Sequence, residues 1–182
     1  MKKHLSLVLS VVLLVTSHHL HAQPKDGDIK SIREDLFYSE FDLDKCWEFH
    51  DSIEEMNSEL PLIKAYLAVS EALIAKHSWN PVSKYSYLRE SESLLSEAVS
   101  EDDDNLEIRF LRLYIQRSIP SYMGMSKNIK EDKKVIMANL DQLNVKELGQ
   151  DIVDYIVTYM SSSEVSTADE ATLIKEKLSS SQ

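Results

Sequence analysis

Asp102-Asp103-Asp104-Asn105, then Leu106 to Ile119, then Pro120: this stretch decides the fold, because it reads as one helix with both ends marked. Asp104 stands where it can cap the amino end, and Glu107, three residues on, can close a capping box. The acidic run suits the positive end of the helix dipole. Pro120 disfavours helical geometry at Ile119, so the helix is expected to stop there. Between the two marks, Leu106, Ile108, Phe110, Leu111, Leu113, Tyr114 and Ile115 cover most of the circumference. A helix apolar on that many sides packs between other helices. Its one polar stripe is Asn105, Arg109, Arg112 and Gln116, in steps of four, three and four.

Working towards the amino end, Tyr85, Tyr87, Leu88, Ser91, Leu94, Leu95, Ala98 and Val99 repeat at helical spacing. His77-Ser78-Trp79-Asn80-Pro81 interrupts the pattern. Before it, Ser58 can cap a helix that tolerates Pro61 in its first turn. That helix continues through Leu62, Ile63, Tyr66, Leu67, Val69, Leu73 and Ile74. Alanines 65, 68, 72 and 75 lie among them and let a partner helix approach closely. Leu43, Cys46, Trp47, His50, Ile53 and Met56 form an earlier helix. Ile29, Ile32, Leu36 and Phe37 form the apolar side of a first one over 28–38.

Towards the carboxyl end, Ser121 to Lys127 reads as a loop. Three capping-box pairs then follow: Asn128 with Glu131, Asn144 with Glu147 and Thr167 with Glu170. Each opens an apolar helical pattern, and residues 179–182 form a frayed polar tail. No stretch alternates with period two. The expectation is an all-α domain of about eight helices, packed as antiparallel hairpins on short loops.

The first residues read as a secretory signal peptide over 1–22. Lys2 and Lys3 precede an apolar run from Leu5 to Thr16, and Leu20-His21-Ala22 offers cleavage before Gln23. The expected domain is therefore 23–182, periplasmic or secreted, with no membrane insertion after cleavage. With Lys2 and Lys3 gone, the 20 basic residues fall to 18 against 31 acidic ones, and the net charge from −11 to −13. That balance argues against nucleic acid and anionic membrane surfaces as partners. The one cysteine, Cys46, allows no internal disulfide, and its place on an apolar helix face favours burial. Three glycines in the whole chain build no phosphate-cradling loop, so no cofactor is expected.

Ala98-Val99-Ser100-Glu101-Asp102-Asp103-Asp104-Asn105 resembles the boundary between two tetratricopeptide repeats. A small-plus-aliphatic pair ends one helix there, an acidic turn follows, and Asn opens the next. Ala98 and Ser91 take the small packing positions, and Asp103 stands where the repeat usually has Pro. Helices over 59–77 with 83–99, and 104–118 with 128–141, keep the repeat's alternation. The Trp, Leu-Gly and Tyr signature of the first helix is absent, so the resemblance is to a diverged array of about two units spanning 59–141. Trp79-Asn80-Pro81 and Lys127-Asn128-Ile129 also resemble segments of small exported proteins of Bacteroidota.

The tetratricopeptide resemblance implies a peptide groove lined by first helices, which would make Asn105, Arg109, Arg112 and Gln116 a partner-binding stripe. Two guanidiniums can fork onto a carboxylate. The same arginines can equally pair with this chain's own carboxylates. Cys46 and His50, one turn apart, carry the other reading, a helical enzyme or metal-binding protein. Neither they nor His77 has a second ligand at zinc-finger spacing. Glu101 to Asp104 lack the alternation and glycine of a calcium loop and read as helix capping. Trp79, Tyr85 and Tyr87 either present an aromatic surface to a partner or plug a hairpin. The expectation is a non-catalytic protein- or peptide-binding accessory protein of the cell envelope.

Overall fold

The computed structural model describes residues 26–179, with side chains from 29 to 178. The signal-like segment 1–22 and residues 180–182 of the polar tail lie outside the described residues. Within them there are nine α-helices, two 3-10 turns and no strand, the all-α class expected. The helices are α1 (Asp26–Ser39), α2 (Leu43–Glu55), α3 (Pro61–His77), α4 (Pro81–Glu101), α5 (Leu106–Ser118), α6 (Ile129–Ala138), α7 (Val145–Leu148), α8 (Gln150–Ser161) and α9 (Ala168–Ser179). No helix among the described residues is long and apolar enough to cross a membrane.

Several helix ends follow directly from local chemistry. Asn80 accepts from the backbone N–H of Val82 at 2.9 Å and of Ser83 at 3.4 Å, and Pro81 takes the first helical position of α4. Thr167 and Glu170 close a reciprocal capping box, Thr167 N to Glu170 at 2.8 Å and Glu170 N to Thr167 Oγ1 at 3.3 Å. Helix α5 stops at Ser118, and Ile119 before Pro120 is extended.

Other ends differ from the sequence reading. Asn105, not Asp104, caps α5, accepting from Ile108 N at 3.2 Å. Glu107 closes no box, because Arg33 and Tyr66 occupy its carboxylate. Asn128 makes no side-chain cap; Gln116 engages it instead. Ser58 lies short of α3, accepting from Leu60 N at 3.3 Å, and α3 begins without a side-chain cap. The helix expected from Asn144 onward is two, α7 and α8. Gly149 separates them at φ +83°, a left-handed conformation that L side chains rarely adopt. Phe37, expected on the buried side of α1, is exposed.

Short connections turn α2, α3, α4 and α5 back along their predecessors. The ends of α1, α3 and α5 and the starts of α2 and α4 therefore gather at one end of the bundle. Helix α5 divides two hydrophobic cores. Its Ile108, Leu111 and Ile115 join Ile32, Phe49, Ile63, Leu73 and Leu95 from α1–α4. Its Phe110 and Leu113 join Ile136, Ile156, Met160 and Ile174 from α6, α8 and α9. The two-sided apolar pattern of 106–115 is what allows one helix to serve both.

Candidate functional site

The polar stripe of α5 does not face an open groove. Helix α6 lies over it, and each member finds a partner within the chain. Arg112 forks onto Asp132, Nε to Oδ2 at 2.7 Å and Nη2 to Oδ1 at 2.6 Å. Arg109 donates to Asp132 Oδ1 at 3.0 Å, to the Asp103 carbonyl at 2.8 Å and to Glu131. Gln116 exchanges hydrogen bonds with Asn128, donating to its Oδ1 at 3.2 Å and accepting its backbone N–H at 2.9 Å. Asn105 is spent as the helix cap.

Asp132 has no solvent exposure, and both arginines are buried. The Arg109 hydrogen bond, and then that of Asn128, hold the Glu131 carboxyl below its usual range. Burial pulls the Arg109 guanidinium down, and its bonds to Glu131 and Asp132 outweigh that, leaving it raised. A peptide could reach this stripe only if α6 moved away.

A matching network crosses the other face of α5. Arg33 of α1 grips the buried Glu107, Nε to Oε1 at 2.8 Å and Nη2 to Oε2 at 2.7 Å. The Tyr66 hydroxyl donates to Glu107 Oε1 at 2.6 Å. Arg33 also reaches the Glu147 carbonyl at 3.1 Å, tying α1 to α7. The hydrogen bonds it donates to Glu107 hold the Arg33 guanidinium above its usual range, and burial does the same to the Tyr66 hydroxyl. Sequence reasoning missed both acids. For Asp132 a signal existed, since it falls on the apolar spacing of Ile129, Val135 and Ile136. For Glu107 none did, because its partner stands 74 positions away.

Cys46 and His50 do not work together. The buried Cys46 thiol donates to the Ser39 carbonyl at 2.9 Å, and burial pushes its ionisation up. A thiol in that state is a poor nucleophile. The His50 ring faces Glu71 of α3 and its own helix neighbours Asp51 and Glu54. His77 donates from Nε2 to the Glu40 carbonyl at 3.2 Å. Asp102, Asp103 and Asp104 lie at the α4–α5 turn, where Asp102 accepts from Asn105 at 2.9 Å.

The aromatic candidates divide. Tyr87 is partly buried against the larger core and meets Trp47 edge-on at 6.0 Å. Trp79 stands almost wholly in solvent at 91 % exposure, Val82 at 78 % and Tyr85 at 49 %. At the same end of the bundle lies a cleft of about 430 Å³ between the end of α3, the start of α4, the end of α5 and the 3-10 turn Ser121–Met123. Its floor is apolar: Ala72, Leu73, Leu88, Ile115, Ile119 and Met123. Tyr122 rises from its edge at 87 % exposure, and Phe37, Tyr38 and Phe41 stand exposed on the α1–α2 corner.

Two lysines line this cleft. Lys76 pairs with Glu40 at 3.5 Å, whereas Lys84 has no carboxylate partner among the described residues. A shallower groove between α2, α3 and α4 holds Lys64, satisfied by Glu97 and Glu101 at 2.7 Å each. An unpaired, half-buried lysine is thus a distinguishing feature of the apolar cleft in a chain with 31 acidic residues. No family model, no curated protein and no solved structure matches this chain.

Proposed function

We propose that this chain is an exported, non-catalytic helical accessory protein, tetratricopeptide-like at its centre. Its bundle end receives an apolar, acid-bearing segment of a protein partner. The observation that carries the reading is the cleft at the α3–α4–α5 end, with Tyr122 exposed on its lining and Trp79 and Val82 exposed at the same end of the bundle. Scattered exposed apolar side chains are ordinary on a protein surface; several gathered at the end that holds an apolar cleft mark an interaction surface. The Asn80 cap and Pro81 fix the backbone that bears Trp79 and Val82, so little ordering entropy is lost on docking. Lys84 supplies the unpaired cation that an acidic group on the partner would satisfy.

Site-specific photo-cross-linking in envelope extract tests this. A benzoylphenylalanine at Tyr122 should give a discrete adduct, and the same group at Ser100, exposed near the far end of α4, should not. Lys84→Glu should weaken the adduct, and mass spectrometry of it should locate an apolar segment with an adjacent Asp, Glu or terminal carboxylate. Equal labelling at both positions, or none at Tyr122, rejects the docking end. Export is tested separately: amino-terminal sequencing of envelope protein should begin near Gln23.

A further inference from the structure

His50 is set in an arrangement that neither the bundle packing nor the docking end uses. Its side chain is nine-tenths buried, at 9 % exposure. On one side Nε2 lies 3.2 Å from Glu71 Oε1, across from α3. On the other side Nδ1 lies 3.4 Å from Asp51 Oδ1 and 3.8 Å from Glu54 Oε2. The Glu71 carboxylate accepts a hydrogen bond from Nε2–H, which favours the tautomer with its proton on Nε2. In that neutral form Nδ1 presents a bare lone pair to two carboxylate oxygens. The three groups then offer one lone-pair atom each, close together on one stretch of α2.

Charge points the same way. No Lys or Arg pairs with Asp51, Glu54, Glu71 or the nearby Glu90 among the described residues. Glu71 Oε2 is buried without a hydrogen-bond partner. The three donor atoms of His50, Asp51 and Glu54 lie within 4.8 Å of one another. An ion about 2.0–2.1 Å from each of its tetrahedral ligands holds those ligands roughly 3.3 Å apart. The 3.4 Å and 3.8 Å separations are close to that edge and long for an N–H···O hydrogen bond.

We propose that His50 Nδ1, Asp51 and Glu54 bind a divalent first-row transition ion, with Glu71 orienting the imidazole from behind. One imidazole and two carboxylates on consecutive turns of α2 are an ordinary donor set for such ions. The carboxylate behind the histidine is the usual outer partner of a metal-ligating ring. Three protein ligands leave a further coordination position for water. Cys46 takes no part, its thiol being committed to Ser39.

Calorimetric titration of the untagged chain from Gln23 with zinc at pH 7.5 is the test, since residues 1–22 carry His4, His18, His19 and His21. One equivalent should bind saturably, with magnesium and calcium in excess failing to displace it. His50→Gln should weaken binding at least 100-fold and Glu54→Gln at least tenfold. The Glu54 side chain is exposed, so that second variant reads the site without disturbing the fold. Glu71→Gln leaves all three donors and should weaken zinc about 10- to 100-fold without changing the stoichiometry. Trp47, whose ring lies 5.5 Å from that of His50, should be quenched by cobalt, and quenching should survive Trp79→Phe. Absence of saturable zinc overturns the site. Binding that persists in both His50→Gln and Glu54→Gln overturns it equally, as scattered surface carboxylates would then be responsible.

Discussion

In the middle of α5 two arginines are buried, and every donor they aim inward meets an oxygen of Asp132, Glu131 or Asp103. At the bundle end beside the same helix, Trp79 stands in water, and Tyr122 rises from an apolar cleft whose Lys84 has no carboxylate partner among the described residues. The first region has the residue types usually associated with a binding site, and the fold has used them itself. The second has residue types usually associated with a core, and the fold has left them outside. In a chain this acidic, cations find internal partners easily, so charge is a poor guide to function. Apolar surface that folding leaves exposed at one concave place is the better guide.

The comparison is most exposed to failure at Asp132. Asp132→Ala leaves Arg109 and Arg112 buried with only the half-exposed Glu131 between them. Breaking a buried pair from one side costs on the order of 3–5 kcal/mol. Urea denaturation should show a loss of that size. A loss below about 1 kcal/mol would mean that solvent reaches the arginines and that α6 does not close the stripe.

Leu111→Ala comes next. Leu111 is 7 % exposed on the face of α5 that joins the larger core. Removing a buried leucine side chain costs roughly 2–5 kcal/mol, including the cavity left behind. The stability change read by thermal and urea unfolding should fall in that range. A neutral result would remove α5 from the centre of the fold.

The sequence was legible where the decisive interactions are local. Pro120 ended α5 and Thr167 with Glu170 opened α9, because caps and prolines act within a few residues, whereas Asn80-Pro81, read as a break before a helix over 83–99, is the cap and first turn of α4. The two-sided apolar pattern of 106–115 announced a helix flanked by two cores. The stripe itself was visible, but its use was not. Periodicity places Arg109 and Arg112 on one face and leaves open whether α6 or a partner covers it. The Asp104–Glu107 and Asn128–Glu131 boxes failed for one physical reason: partners distant in sequence, Arg33 and Gln116, took the groups the caps needed. The docking end was only half readable. Trp79 and Tyr85 marked it, but tryptophan is buried more often than not, and only the packing shows this one left out.

A smaller effect separates the exposed carboxylate partner of the stripe from the buried one. Glu131 is held below the ordinary 4.5 by its hydrogen bond from Arg109. A depressed carboxyl contributes stability above about pH 4.5, and that contribution is lost as pH falls through the lower, folded-state value. Wild type should therefore lose melting temperature faster than Glu131→Gln below about pH 4.5. The difference should be small, since the side chain is 56 % exposed and solvent screens the pair. Parallel curves would place the whole stabilisation of the stripe on Asp132.

The smallest expected change is the most informative about the other region. If Trp79 plugged a hairpin, truncating it would cost about 3–5 kcal/mol, as for any buried tryptophan. At 91 % exposure it has almost no apolar area to lose, and its backbone is held by the Asn80 cap, which Trp79→Ser leaves intact. Surface substitutions of that kind stay within about 0.5 kcal/mol. Trp79→Ser should therefore melt with wild type, and Tyr122→Ser, at 87 % exposure, likewise; the double variant should add nothing beyond the sum. Trp79→Ser should still weaken the adduct formed by the benzoylphenylalanine placed at Tyr122, because a residue that contributes nothing to folding is free to contribute to docking. Were either single variant to lose several kcal/mol, the ring would be covered by its own chain in solution. The contrast between a satisfied stripe and an unsatisfied end would then collapse into two parts of one core.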